Sequence, residues 1–338
     1  MKYMSLVLAG VLLFGSQIAC CGLSTPRIPD IEIPDVELPD VEEIEIPDID
    51  EIEIPDIDEI EIPDIDEIEI PDIGIPTIEA GEMIDQEETI PLDGAESATV
   101  EVTFGAGELK VGAGMADALL SGQFRYNVER WEPEVSYEGG RLSVVQGGTK
   151  EDWGIPTGNL RNEWDLAFSP KAALDMVFDI GAGVGMLDLT GLQLTGLDLD
   201  MGAGDCEVRF EEPNEAKMDQ FKLNTGASKL EVTGIGNASP AQMKVQGGVG
   251  DVTLDFTGAW ANSADVEVTS GVGSLVLRVP DDVGVRVETE GGLTDVDASG
   301  LEHEDGAYVN GAFGEADTEL RIEVTTGIGS LQLIEVSN

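Results

Sequence analysis

Apolar and polar residues alternate along most of the chain after about residue 95, and glycine-containing turns separate the alternating runs. The clearest run is Leu197-Asp-Leu-Asp-Met201, followed by Gly-Ala-Gly and by a second run in which Cys206, Val208 and Phe210 alternate with charged residues. Because side chains on a strand point alternately to opposite faces, each run predicts a β-strand with one apolar face. The pattern therefore predicts an all-β protein.

The phrase Gly-x-Gly returns between two alternating runs throughout the second half of the chain. It stands at residues 181–183, 202–204, 248–250, 271–273 and 327–329, with looser copies at 226–228 and 291–292. Neighbouring copies up to Gly291 lie roughly 20 to 24 residues apart, a period typical of solenoids whose stacked rungs share one core. The predicted fold is a parallel β-solenoid, or short β-helix. An antiparallel β-sandwich is the alternative, since alternation and glycine turns fit it as well.

Charges on the outward positions favour parallel stacking in register. If the rungs are aligned, one outward column contains Asp198, Lys222, Lys244, Glu267 and Arg286. Opposite charges side by side on neighbouring strands are favourable and like charges are not. The mixture of signs in this column therefore supports the solenoid.

The first 19 residues predict an export signal. A positive start is followed by an apolar run over residues 6–14 that is too short to span a bilayer, and then by small residues. Ala19-Cys20 resembles a bacterial lipobox, so we expect lipidation at Cys20, with Cys21 as the alternative. Residues 20–27 would then form the lipid-anchor region of an exported, membrane-anchored lipoprotein of the bacterial cell envelope.

Residues 28–94 predict an extended acidic stalk and joint. Five-residue units such as Ile-Pro-Asp-Ile-Glu give way at Glu43 to the eight-residue unit Glu-Ile-Glu-Ile-Pro-Asp-Ile-Asp. Proline in each unit opposes helix and regular strand pairing, and the closely spaced acidic residues repel one another. In a polyproline-like state the repeats would reach on the order of 150 Å. The regular isoleucines leave self-association, cation binding or wall contact by this rod open.

The charge of the chain excludes one class of partner. Its 338 residues include 69 acidic and 17 basic ones, for a formal net charge of −52. Nucleic-acid binding needs basic patches, so no nucleic-acid partner is expected. The same charge argues against electrostatic adhesion to anionic lipid heads and predicts diffuse binding of counter-ions, divalent cations among them.

Five phrases occur in order before the repeats. They are GAGELKVG at 105–112, LLSGQFRYN at 119–127, PEVSYE at 133–138, RLSVVQ at 141–146 and NEWDLAF at 162–168. In this order, over about residues 95–338, the chain resembles the bacterial toast-rack family, which adjoins LiaF-like proteins and adhesin-like domains with short β-helices. The resemblance implies a toast-rack-like β domain over 95–170 and solenoid repeats over 171–338. It brings no catalytic residue with it.

Candidate chemistry is sparse, and we predict no catalytic, cofactor-binding or metal-binding residue. The segment 181–185 is similar to a phosphate-binding loop and 247–255 to a calcium-binding nonapeptide, but both are better explained as corners of the repeat. His303 lies among carboxylates in what is expected to be a solvated loop. Cys206 alternates with core residues and is expected to be a buried small hydrophobe. With the other two cysteines at 20 and 21, no internal disulfide is expected in the head.

Five aromatic residues form the candidate interaction surface, and packing against the first rungs is the alternative explanation for them. They are Tyr126, Trp131, Tyr137, Trp153 and Trp164.

The function expected from the sequence is that of a non-catalytic envelope lipoprotein whose β head binds another protein or takes part in envelope-stress regulation. LiaF-type proteins restrain a sensor kinase, but they carry membrane helices where this chain has a lipobox and stalk. A structural or adhesive surface protein, acting through self-assembly or wall attachment, is the alternative. A polysaccharide-active enzyme on a β-helix is a remote third possibility that rests only on fold analogy.

Overall fold

The structure, a computed structural model, describes residues 77–148 and 155–338. The signal, the lipid-anchor cysteines Cys20 and Cys21, the repeat segment from Ile28 to Pro76 and Trp153 lie outside the described residues. In the described part nearly all regular structure is β-strand, with a 3-10 turn at Glu129–Trp131 and one helical turn, α1, at Ile235–Ala238. No helix in these two ranges is long and apolar enough to span a bilayer.

The strands fall into a short N-terminal group and a series of long ones. The first group comprises β1 (Thr77–Glu79), β2 (Ile84–Pro91), β3 (Ser97–Ala113), β4 (Ala118–Tyr126), β5 (Pro133–Glu138), β6 (Arg141–Gln146), β7 (Ile155–Thr157) and β8 (Asn162–Phe168). The second comprises β9 (Ala173–Asp188), β10 (Gln193–Arg209), β11 (Gln220–Thr233), β12 (Gln242–Asp255), β13 (Ala264–Pro280), β14 (Gly284–Ser299), β15 (Glu302–Glu304), β16 (Ala307–Val309) and β17 (Glu319–Val336).

One large, mostly parallel sheet holds all of these strands except β1 and β7, which pair with each other. Its long strands stack in the order β3, β9, β10, β11, β12, β13, β17, β14, and every pairing between these neighbours is parallel. Antiparallel pairs join β2 to β4, β4 to β8 and β5 to β6 at the N-terminal end. The sheet does not close on itself, so the result is an open, solenoid-like stack.

All of the long strands except β14 bury alternate side chains both before and after the corner, whereas in β14 the residues after the corner are at most partly buried. In β13, Val266 and Val268 are buried before the corner, and Leu275 and Leu277 are buried after it. Stacking joins these side chains into one apolar core that includes residues of both the N-terminal group and the repeats. No single rung has enough apolar surface to form such a core alone, so the rungs depend on their neighbours.

The N-terminal group belongs to the same core as the repeats. Trp164 makes edge-to-face contacts with Phe104 and Phe124, with ring centroids 5.1 Å apart in both pairs. β3 pairs with β9, so the sheet runs without interruption past residue 170, the expected domain boundary. The strand β2 pairs with β4 and lies before Ala95, in the segment that was expected to be an acidic joint.

The register of the rungs follows the outward column for its first four members and then departs from it. Asp198 lies opposite Lys222, which lies opposite Lys244, which lies opposite Glu267, as expected. The prediction for the fifth member is wrong, because Glu267 lies opposite Glu323 of β17 and not opposite Arg286.

The reason for this departure is that the last strand of the chain lies between β13 and β14. β17 pairs with β13 on one side and with β14 on the other. Asn338, just beyond it, accepts a 2.7 Å hydrogen bond from the Gly258 amide and donates a 3.1 Å hydrogen bond to the Asp282 carboxylate. The final strand is therefore an interior rung, held at both edges.

Candidate interaction surface

A Gly-x-Gly corner interrupts the alternation in six of the eight long strands, all but β11 and β14. At β13 the corner glycine Gly273 has φ +141°, a conformation that L side chains rarely adopt. A Cβ at this position would collide with the carbonyl oxygen of Gly250 in the rung below. The corner therefore needs glycine both for its backbone conformation and for the close approach of the next rung.

The middle residues of the corners form a single column along the stack. In stacking order the column reads Ala106, Ala182, Ala203, Ala227, Val249, Val272, Ile328 and Leu293. The first half is therefore alanine and the second half is larger aliphatic residues. The change occurs between β11 and β12.

The larger members of this column are exposed. Relative exposure is 58% for Val249, 46% for Val272, 58% for Ile328 and 79% for Leu293. These four residues, here called the corner ridge, lie on consecutive rungs and so extend over about 14 Å at the spacing of neighbouring strands. Single exposed apolar residues are common on protein surfaces, whereas a contiguous exposed row marks a candidate binding surface.

An open groove lies beside the alanine half of the column. Its volume is about 620 Å³, and its side-chain lining includes Asp179, Asp200, Asn224 and Gln246, which follow one another in register, together with Ile180 and Met201. The Asn224 amide donates a hydrogen bond to the Asp200 carboxylate across the two rungs. The residues of the corner column are thus small near β9 and large and exposed near β14.

The two ends of the stack also differ in how their corners are covered. At β3, the first corner, Gln146 Oε1 accepts hydrogen bonds from the Gly105 amide (2.9 Å) and from Asn162 Nδ2 (2.7 Å). Asn162 also donates to the Ala106 carbonyl at 2.8 Å. At β14, the last corner, no described strand pairs on the outer side beyond Glu288.

Opposite charges lie side by side at two places in the middle of the stack. Lys244 lies 2.9 Å from the Glu267 carboxylate, and Lys222 lies 3.8 Å from that of Asp198. Each such exposed pair stabilises the fold by about 0.2–1 kcal/mol. Like charges are also neighbours, as at Lys222 and Lys244, so the pairing of charges between rungs is only partial.

The structure places the predicted aromatic residues mainly in or against the core. Tyr126 and Trp164 are buried, so neither offers a ring face to a partner. Trp131 and Tyr137 are partly buried and pack against the core. Tyr126 and Trp164, which were expected to belong to the interaction surface, are therefore part of the core. The reason is that both lie on the inward positions of β4 and β8, where alternation directs side chains toward the first rungs.

The two residues considered for chemistry are separate from each other. Cys206 is buried, and this burial is the main cause that raises the pKa of its thiol to about 12. His303 lies exposed on β15, with its ring centroid 5.0 Å from that of Tyr308. Across residues 77–148 and 155–338, no group of histidine, cysteine and carboxylate side chains is arranged to hold a metal ion.

The corner ridge is the feature that sequence reasoning missed. Its signal was present in the x position of Gly-x-Gly, which is alanine at 182 and 203 but valine at 249 and 272 and isoleucine at 328. A corner residue points away from the core whatever its type. An aliphatic residue there should therefore have been recognised as exposed rather than as part of the apolar strand pattern.

Comparisons with known proteins bear on family and shape. Residues 79–233 and 220–278 match the family described as the N-terminal domain of toast_rack, DUF2154. Among curated proteins, none matches the sequence.

Solved structures that are similar to the chain include the following three. A candidate cell adhesion protein from Clostridium sporogenes has 22% identity and a TM-score of 0.45, covering 75% of this chain and 100% of that one. A candidate adhesin from Bacteroides fragilis and a candidate lipid-binding protein from Parabacteroides distasonis each have 13% identity and a TM-score of 0.35, covering 77% of this chain and 100% of theirs. At these scores the similarities carry no functional conclusion.

Proposed function

The chain belongs to the toast-rack family, and from that premise we propose that it is a non-catalytic lipoprotein of the bacterial cell envelope whose head, a parallel β-solenoid, binds another envelope protein. The export signal, the lipobox at Cys20 and the acidic repeats support anchoring and display of the head. The proposed partner is a protein of an envelope-stress pathway or of the wall machinery, and the proposed contact surface is the corner ridge.

The observation that carries this proposal is the exposure of Val249, Val272, Ile328 and Leu293 in one row. Water contact with aliphatic side chains is unfavourable, and covering each by a partner contributes on the order of 1 kcal/mol. A binding role also agrees with the placement of the reactive residue types. The Cys206 thiol is buried with a raised pKa, and His303 is exposed on a short strand at the far end of the stack.

The experiment is photo-cross-linking in cells of the source bacterium, with p-benzoylphenylalanine in place of Val272 in the full-length protein. The matched position is Lys217, whose side chain is exposed in the segment between β10 and β11. We expect one recurrent protein adduct from position 272, absent from position 217, and reduced by Val249→Ser together with Ile328→Ser.

Three outcomes would contradict the proposal. Identical adducts from both positions would show that the ridge is not selective. Adducts only with further copies of the chain, or only with wall material, would support the structural or adhesive alternative. Recovery of the wild-type protein from the soluble fraction, or no change in membrane recovery when both Cys20 and Cys21 are replaced by serine, would exclude the lipid anchor.

A further inference from the structure

One edge of the sheet is open along the later part of β14, from Thr289 to Ser299, which is here called its second arm. β16 covers β14 only at Arg286–Glu288, and β17 pairs with its other side from Gly284 to Ser299. From Thr289 to Ser299, therefore, no strand in the described parts of the chain lies on the outer side of β14. Backbone amides and carbonyls on such an edge are ready to pair with an additional strand.

Two other edge strands carry features that oppose further pairing. β2 carries Asp85, Glu87 and Glu88 and ends at Pro91, and β5 begins with Pro133. Charged residues and proline are the usual means by which an edge strand avoids further pairing. The outer edge of β14 also carries carboxylates, but it has no proline, and at its centre lies Leu293, the most exposed member of the corner ridge.

The exposed side chains of this edge are acidic and lack basic neighbours. Glu290, Asp295 and Asp297 lie opposite Thr325, Ser330 and Gln332 of β17, all of them neutral. At some other places in the stack a carboxylate on one rung lies beside a lysine on the next, as Asp198 lies beside Lys222. A strand placed beyond β14 would make favourable pairs of the same kind if it carried basic residues at the matching positions.

We propose that the outer edge of β14 binds an extended segment of a partner protein in which lysine or arginine alternates with apolar residues. The inference rests on the proposed function, and it specifies how the partner binds. Backbone pairing within Thr289–Ser299 would hold the segment, and its basic residues would lie beside Asp295 and Asp297, which are two positions apart on one face of the strand.

A second copy of the chain fits this edge poorly. Two copies related by a twofold axis at the corner would pair antiparallel, so the first arm of one β14 would face the second arm of the other. Matching outward side chains with outward ones then brings Glu290 against Asp295 or Asp297 of the other copy. Like charges directly opposite one another are destabilising.

The chain's own acidic repeats fit the edge no better. Their units carry a carboxylate at nearly every second position and a proline in each unit. They would set like charges beside β14, and their prolines would remove donors from the ladder. Charge complementarity therefore selects a basic segment from a different protein.

The test uses purified full-length protein with p-benzoylphenylalanine in place of Leu293. The probe is a ten-residue peptide of alternating lysine and valine, and the matched probe is five lysines followed by five valines. Because cross-linking reports only peptide beside residue 293, association of either peptide with the acidic repeats does not count. We expect about tenfold more adduct with the alternating peptide, since only it can present its charges on one face of a strand.

The second part of the test reverses the charge of residues on β14. Asp295→Lys with Asp297→Lys should reduce the adduct about tenfold, through loss of attraction and added repulsion. Glu134→Lys with Glu138→Lys changes the net charge equally at exposed positions of β5 and should leave the adduct unchanged. Equal adducts with both peptides, insensitivity to the reversal at β14, or adducts between copies that persist when peptide is added would each overturn the proposal.

This result can be separated from that of the cellular experiment. A partner adduct at position 272 in cells, with no preference for the alternating peptide at position 293, would leave the proposed function and remove only the edge site. The alternating peptide bound at 293, with no partner at 272 in cells, would establish an edge site whose use by the anchored protein is different from the one proposed.

Discussion

At the scale of single residues, glycine at the second corner position is required by contact as much as by conformation. A methyl group at Gly273 would collide with the Gly250 carbonyl oxygen, and a methyl group at Gly250 would collide with the Ser228 carbonyl oxygen. The same steric constraint therefore applies to successive rungs. Two rungs depart from it: Ser228 and Thr294 occupy the same corner position in β11 and β14 without a positive φ.

We predict that Gly273→Ala destabilises the fold by about 2 kcal/mol or more, because alanine must adopt a backbone conformation that is nearly exclusive to glycine and must displace the neighbouring rung. The measurement is urea unfolding followed by tryptophan fluorescence. Gly311→Ala is the matched control, since a Cβ there would have no heavy atom within 4 Å. Similar loss in both variants would show that the corner is not specially constrained.

The buried thiol of Cys206 predicts a dependence of stability on pH. Its pKa in the folded protein, about 12, lies above the ordinary thiol value of 9.0 because the side chain is buried. The contribution of the protonated thiol is therefore complete below about pH 9 and is lost as the pH rises toward 12. At pH 10.5 the wild type should lose about 2 kcal/mol that Cys206→Ala does not lose. Unfolding free energies of both proteins at pH 8 and 10.5 measure this; parallel losses would contradict it.

At the scale of the element, strand β17 is paired along both of its edges. It is hydrogen-bonded on one side to β13 and on the other to β14, and its residues Leu320, Ile322 and Leu333 are buried. A segment with few buried contacts opens more readily than one that is packed and paired on both sides. Residues 289–299 of β14, by contrast, are paired on one side only.

We predict that hydrogen exchange will show this difference between the two segments. Amides of residues 319–336 should exchange at least about tenfold more slowly than those of residues 289–299, since exchange follows the cost of local opening. Hydrogen–deuterium exchange with peptide-level mass spectrometry measures both segments in one sample. Faster exchange in 319–336 would mean that β17 does not lie between β13 and β14.

Alternation and corner phrases were sufficient to predict where the strands are and which faces they bury. Leu197 and Leu199 are inward and Asp198 is outward, as expected. The order of the rungs could not be predicted in the same way. The corner Val324-Thr-Thr-Gly-Ile-Gly resembles every other corner and does not indicate which strands lie beside it. The local alternation of residues determines which face of a strand is buried. Its neighbouring strand is determined by which strand edges are still unpaired when it joins the sheet.

At the scale of the whole molecule, the two ends of the described head are different in kind. The first corner is covered by Gln146 and Asn162, and acidic strands with proline protect the edges beside it. The last corner is open and apolar. Along the corner column the side chains become larger and more exposed toward β14. The corner ridge and the open edge therefore form one continuous surface at the end of the head.

The sequence was a weaker guide to this surface than to the fold. Aromatic residues are good first candidates for binding, yet Tyr126 and Trp164 were needed to fill the core beside the first rungs, where the strands are short and the space is large. Aliphatic residues were assumed to be interior. At a corner that assumption fails, and Val249 and Ile328 became visible as surface residues only when their rungs were placed in register.

The position of β17 also has a consequence for the order of events as the chain emerges and folds. β14 is complete at Ser299, but the strand it must pair with ends at Val336. Because the chain emerges with its amino end first, the residues after Ser299 become available to fold only after β14 does. During that interval the inner edge of β14 and the outer edge of β13 are both vacant. The head therefore cannot finish folding from its beginning to its end, and a nascent chain is most vulnerable to pairing with a neighbouring molecule just before its last strand emerges.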